Sequence, residues 1–408
     1  MAMKLTLNSI APSFLEVHEN GTTRDDIIAS GRLLAYDHAR RGKNAMNAVR
    51  GLSAMEGVEK LSDMEYKKLN ARFQADHLLY AAKKACDLMD TTAPETFEDF
   101  KKRGQDFYAN STFLKVLQGI YSEILQPILP AVYSEAVSRF ADVYEVGFAE
   151  TYQISVESND IVLFQDSAWG ASRSVPANRF YAKDITLNPQ PKTAEIRMKW
   201  PQLVGNNQDF GAFFANIVAG MYAKTMGMWN EMMAAAAANT ALIPSGLSYN
   251  FSAINWVTLA NKLAAVNNTD IGNLVAYGNA VAVAKVLPTQ VTGSTNVNMD
   301  AAISTLLGRD YVRDAQLGEY MRVRLMALRD AVVPGTQNTG VTTVLDSTKV
   351  WMMASNRSKP LAIAYNSATP ISIEFNPIQT ASFEYILNLT IALDSASVFA
   401  SKVGLINI

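Results

Sequence analysis

Cysteine is nearly absent from this chain: Cys86 is the only one in 408 residues. A disulfide framework and a cysteine-based structural zinc site are therefore excluded within one chain. Histidine is almost as scarce. His18, His38 and His77 are the three, and none lies after position 77. The long remainder lacks the usual general base and the commonest metal ligand, which excludes Ser/His/Asp and Cys/His chemistry there. Carboxylate chemistry stays open, but no paired acids stand in a glycine-rich or metal-like context. Phosphate-loop and dinucleotide glycine patterns are missing as well. Excess charge is missing too: the formal net charge is −2, so the chain as a whole has no field to draw nucleic acid or an anionic membrane. The opening MAMKLTLNSIAPSF has no long apolar core and no small-residue cleavage site, so it does not read as a secretory signal. The best membrane candidate, residues 210–238, contains Asn216, Lys224, Asn230 and Glu231. These are costly at bilayer depth, so a buried helix is expected and no membrane partner.

What is present is an apolar, foldable chain: 49% of residues are hydrophobic and 18% charged. Its length points to two or three domains. Charge is unevenly spread, with 32 of the first 110 residues charged against 42 of the remaining 298. That step marks a boundary between a solvated helical segment and a more buried body. In the first segment Thr23 can cap a helix with Asp25 and Asp26 in its first turn, running to about Val49 and ending at Gly51. Ser62 and Glu65 form a capping box for a second helix to about Met89, with Leu69, Phe73, Leu78 and Leu79 as its apolar stripe. These helices read as a hairpin or arm, or as a scaffold-like, partner-binding region. His38 and His77 have charged sequence neighbours and are not taken as metal ligands. Residues 113–125 and 131–144 read as further helices, separated by Pro127 and Pro130.

From Tyr152 the period changes to that of a strand, with Ile154 and Val156 alternating with polar residues and a short apolar run at 161–164. Residues 165–180 are irregular and polar. Then Ala194, Ile196, Met198 and Trp200 alternate with Glu195, Arg197 and Lys199, after Ile185 and Leu187 and a turn over residues 188–191. This predicts a long, half-exposed hairpin. Residues 165–200 carry six basic side chains (Arg173, Arg179, Lys183, Lys192, Arg197, Lys199) against Asp166, Asp184 and Glu195. With Trp169, the residues Arg173, Arg179, Lys183, Arg197 and Lys199 are the candidate contacts to another subunit. The apolar row is expected to lie on a protein surface, and the charged row reads either as a solvated face or as one that a subunit extends across a neighbour.

Asp209 can cap a long helix to about Ala238 that is apolar nearly all round, so it must be covered on most sides. Beyond it, 254–266 reads as a helix, 274–277 as a strand, 278–286 as a helix, 299–307 as a helix, 321–328 and 349–353 as buried strands, and 335–340 as a turn. Residues 383–403 alternate and read as one or two closing strands.

This order resembles the Hong Kong 97-type major capsid fold of tailed phages over roughly residues 111–408. NDIVLFQDSAWG is similar to the strand entering that family's extended loop, and FYAKDITLNPQPKTAEIRMKW to its returning strand. DFGAFFANIVAGMYAKTMGMW resembles the spine helix. LVAYGNAVAVAKV, MRVRLMALRDAVVPG and KVWMMASNRSKPLAIAY resemble axial-domain segments, and FEYILNLTIALDSASVFASKVGLINI the closing peripheral strands. The resemblance implies an α+β subunit in four parts. They are a helical arm (1–110), a peripheral domain with the spine helix (111–164, 200–240 and 371–408), an extended hairpin loop (165–199) and an axial domain (241–370). It further implies no enzymatic activity and no cofactor. The subunit would self-assemble into pentamers and hexamers of an icosahedral shell in the virion, built in the host cytoplasm around double-stranded DNA held without sequence preference. Portal, scaffolding or decoration proteins are further partners of that family. Its covalent cross-link joins a loop lysine to an asparagine of a neighbour; the loop tip here, residues 166–178, contains Arg173 and no lysine, so no cross-link is expected. The competing readings are an encapsulin-type nanocompartment shell, another virion structural protein, or an enzyme with a buried carboxylate pair.

Overall fold

The computed structural model describes residues 23–40, 61–128, 140–147, 149–156, 183–205, 208–239, 243–286, 318–336, 338–356, 359–366, 371–378, 383–398 and 402–408. They form an α+β protein built of a helical layer, two sheets and a separate two-stranded ribbon.

The helices begin where their caps predict. Helix α1 (Arg24–Arg40) starts after Thr23, whose backbone N–H and hydroxyl both donate to the Asp26 carboxylate while its Oγ1 accepts from the Asp26 N–H. Helix α2 (Asp63–Met89) carries the complete Ser62/Glu65 capping box. Two short helices, α3 (Phe97–Lys102) and α4 (Gly104–Tyr108), lead to α5 (Ser111–Leu125), capped by Asn110. These helices are not a detached arm. Ile27, Leu34, Phe73, Leu78, Phe100 and Phe107 join the same cluster of buried side chains as the strands that follow, so the charge step near residue 110 separates no independent unit.

Strand β1 (Ala141–Val146) follows, and residues 141–144 are therefore extended where a helix was expected. Strands β2 (Tyr152–Val156) and β3 (Lys183–Leu187) pair antiparallel with each other alone, from Tyr152 opposite Leu187 to Val156 opposite Lys183. β4 (Gln190–Lys199) does not return along β3. It pairs instead with β12 (Glu384–Ser397) over ten positions, from Lys199 opposite Glu384 to Gln190 opposite Leu393. The expected hairpin about residues 188–191 is thus a crossing from ribbon to sheet. β12 also pairs with β10 (Leu361–Asn366) and β11 (Ser372–Ile378), and β1 runs parallel to β10, completing a five-stranded sheet. Leu393 pairs with both Gln190 and Tyr365. Hence β4 follows one edge of β12, while β10 and β11 follow the other end to end.

After the short α6 (Trp200–Val204), α7 (Phe210–Ala238) starts at its predicted cap Asp209. Its 29 residues span about 43 Å at 1.5 Å each. It is buried at both ends, from Phe210 and Phe214 against Phe73 and Tyr121 to Trp229 against Phe140. The second sheet has the order β5 (Ser248–Asn250), β13 (Gly404–Asn407), β9 (Lys349–Ala354), β6 (Leu274–Asn279), β8 (Val323–Leu328), β7 (Glu319–Tyr320). Helix α8 (Ala253–Val266) packs on it, burying Trp256, Leu259 and Leu263. The helix expected over 278–286 is only α9 (Ala280–Ala284), because Gly278 and Asn279 stay in β6. Strand pairing crosses the expected 370/371 boundary twice: 361–366 belongs to the first sheet and 404–407 to the second. The run expected as helix at 299–307 lies outside the described residues.

Candidate inter-subunit surface

The described part of the ribbon, β2 with β3, is fastened locally. Leu187 and Val146 are buried with Ala362 and Ala364, and Ile154, Tyr144, Ala396 and Val398 pack around them. This cluster is separate from the main core. Tyr144 stacks on Tyr152 with ring centroids 4.4 Å apart, and the Asn188 N–H donates to Asp394 Oδ2 at 2.7 Å. Beside it the Tyr365 hydroxyl donates to Glu145 Oε1 at 2.5 Å. Burial, then the bond to Glu145, pushes the Tyr365 pKa up, so its phenol stays a donor. The sequence pattern did not single out this cluster, since Val146, Ala362 and Ala364 become neighbours of Leu187 only through the β1–β10 pairing.

The six expected contact residues fall in different places. Trp169, Arg173 and Arg179 lie outside the described residues. Lys183 opens β3 opposite Val156. Arg197 and Lys199 are exposed on the outer face of β4, opposite Ile386 and Glu384. Thr193 and Glu195 share that face, as do Ser372, Glu374 and Asn376 on β11, all exposed. The result is a three-stranded surface with both signs of charge and no buried outer row on its edge strands.

The apolar row of β4 is where expectation and structure differ most. Ala194 is exposed and Ile196 half-buried, but Met198 and Trp200 are 7% and 4% exposed within this chain. Trp200 sits among Phe100, Phe113 and Tyr385, and its indole N–H donates to Gly104 O at 2.9 Å. Half the row is therefore committed to the subunit's own core. The reason is register: Met198 faces Tyr385 and Ile196 faces Leu387, the buried side of β12.

Among the described residues no three His, Cys, Asp or Glu side chains gather as for a metal, and no helix is long and apolar enough to cross a membrane. His77 has no charged cage, whatever its sequence neighbours. It is wholly buried, stacks on Phe73 and meets Phe210 edge-on.

No protein-family model matches the chain, and no curated protein matches it. Solved structures do. The chain is similar to a structure titled Mycobacterium phage Che8, at 13% identity and TM-score 0.39, covering 63% of this chain and 84% of that one. It is similar to the capsid of a native GTA particle at 14% identity and TM-score 0.40, covering 67% and 89%. A virus-like particle from Pyrococcus furiosus aligns at 9% identity and TM-score 0.33, covering 65% and 90%.

Proposed function

We propose that the chain is the shell-building subunit of a tailed-phage capsid, with a structural and not a catalytic role. In this reading copies of it assemble into pentamers and hexamers of a closed icosahedral shell around double-stranded DNA, in the host cytoplasm. The observation that carries the reading is the ribbon. A two-stranded ribbon is at best marginally stable alone in water, and the described part of this one, Tyr152–Val156 with Lys183–Leu187, is fastened to its own subunit by the small cluster around Leu187. The 26 residues between Val156 and Lys183 could reach about 40 Å out and back in extended form, far enough to lie across an adjacent copy. Arg197 and Lys199 stand exposed on the next strand to meet acidic groups there. Charges so placed set register and partner choice more than affinity. The proposed contact set remains Trp169, Arg173, Arg179, Lys183, Arg197 and Lys199. Portal, scaffolding and decoration proteins are the further partners this role calls for.

The test is to replace residues 165–180 with a short Gly-Ser turn. Circular dichroism should show a folded subunit, because the base cluster and both sheets are untouched. Sedimentation velocity and negative-stain images should show loss of capsomers and closed shells. Shells of normal size from the variant would overturn the ribbon's role. Rings, tubes or no assembly from the unaltered chain would overturn the shell reading itself.

A further inference from the structure

Helix α2 carries a column of polar side chains on its inward side, Tyr66, Asn70 and Gln74, four residues apart, Tyr66 and Gln74 buried and Asn70 half-buried. They share that face with Leu69 and Phe73, where leucine or alanine would pack without needing hydrogen-bond partners. All three bond to the short connector between β4 and α7. The Gln74 amide donates to Leu203 O. Asn70 Nδ2 donates to Gln208 O at 2.8 Å, and its Oδ1 accepts from the Phe210 N–H at 3.0 Å. The Tyr66 hydroxyl donates to Asp209 Oδ1 at 2.5 Å, the same oxygen that caps α7 through the Ala212 N–H at 3.0 Å. Asn70 and Asp209 thus satisfy two of the N–H groups that the first turn of a helix leaves open. Gly211 lets the helices come this close. A Cβ there would run into the Tyr66 hydroxyl and stand 2.7 Å from the Leu34 carbonyl on α1.

We propose that α2 is a strap that sets the angle between β4 and the spine helix α7, and with it the direction in which the ribbon leaves the subunit. This rests on the shell reading for its consequence, since in a closed shell that angle becomes curvature. Tyr66, Asn70 and Gln74 are positioning residues. The column specifies register as well as contact: sliding α2 by one turn would put Asn70 against the Gln74 partner and take its Oδ1 from the Phe210 N–H, while Asp209 would lose the Tyr66 hydroxyl.

Two measurements test the strap. Spin labels at Glu195→Cys on β4 and Lys224→Cys on α7, both exposed positions, report the angle in the unassembled subunit. A narrow distance distribution is expected in the labelled parent, and a broadened or displaced one after Asn70→Ala. Tyr66→Phe, which removes only a hydroxyl, should act in the same direction and serves if Asn70→Ala does not fold. Negative-stain images of the unlabelled variants should show mixed diameters or open sheets where the unaltered chain closes. An unchanged distance distribution in a folded variant overturns the strap. If the unaltered chain forms no shells, the shell reading fails and the distance measurement alone decides the strap.

Discussion

The two sheets bury their strands in different ways. In the first, β12 alternates from Tyr385 to Leu393, with every second side chain buried and those between half-buried. Its flanking strands β4 and β11 leave their outer residues in water. In the second, all six residues of β6 and five of six in β9 are buried. The wet side of β4 and β11 beside β12 has a surface to offer another copy, whereas strands covered on both sides, such as β6 and β9 and also β10 of the first sheet, are finished within the subunit. The exposed basic pair lies on the first, and the base of the ribbon packs against its strands β1 and β10. The long helix α7 serves both. Its start is clamped by α2, and further along Tyr222 donates to Arg329 O at 2.9 Å.

The largest effect that would sharpen this contrast lies in the second sheet. Trp256 is fully buried against Phe251 and Tyr320 and donates its indole N–H to Tyr320 O. Trp256→Ala should cost about 3–5 kcal/mol, measured by urea unfolding. Hydrogen exchange should rise in α8 and the second sheet far more than in β2 and β3. Uniform loss of protection would mean that the two sheets unfold as one.

Acid should act next, on the helical layer of the first sheet. His77 Nδ1–H donates to Phe73 O at 2.6 Å, and its Nε2 accepts from the Tyr121 hydroxyl at 3.1 Å. Burial holds its pKa down to about 4, against the carbonyl bond that would raise it. The folded state therefore keeps the ring neutral, while the unfolded chain takes up a proton near pH 6.5. Stability is fully present above that pH and falls as the pH drops to about 4. The loss from this group is about 3 kcal/mol at most. His77→Gln should flatten the pH dependence of the melting temperature in that window; an unchanged slope would assign it to other groups.

Leu187→Ala should cost about 2–3 kcal/mol in local stability at the ribbon's base. Because its cluster is separate from the main core, hydrogen exchange should rise in β2 and β3 while β6 and β9 stay protected. Last, Arg197→Glu with Lys199→Glu should move folding stability by less than about 0.5 kcal/mol, as both are exposed. The salt dependence of assembly should change sign or vanish. Static light scattering against ionic strength reads it, and an unchanged profile would remove these two residues from the contact.

Much of this architecture is legible along the chain. Thr23, Ser62 with Glu65, and Asp209 place three helix starts because a cap is a bond between residues three apart. The alternation from Tyr385 to Leu393 exposes β12 for the same local reason. The ribbon contacts were less legible. Lys183, Arg197 and Lys199 fall on described strands, but the anchor around Leu187 was missed, since alanines at 362 and 364 carry no signal of their own. Residues 141–144 have helix-like apolar spacing yet form β1, because pairing with β10 outweighs a weak local preference.

Sequence by itself determined the α+β class, the caps, the two long helices and the alternating strands. Tertiary structure alone decided which strands are neighbours. Nothing in residues 188–191 says whether β4 returns along β3 or crosses to β12 nearly two hundred residues later, because both give the same alternation. The choice follows from burial. Pairing with β12 puts Met198 opposite Tyr385 and brings Trp200 beside Phe100 and Phe113, removing large apolar surfaces from water that a free ribbon would leave exposed. That same choice put half of the apolar row expected to face a neighbour, Met198 and Trp200, into the subunit's own core.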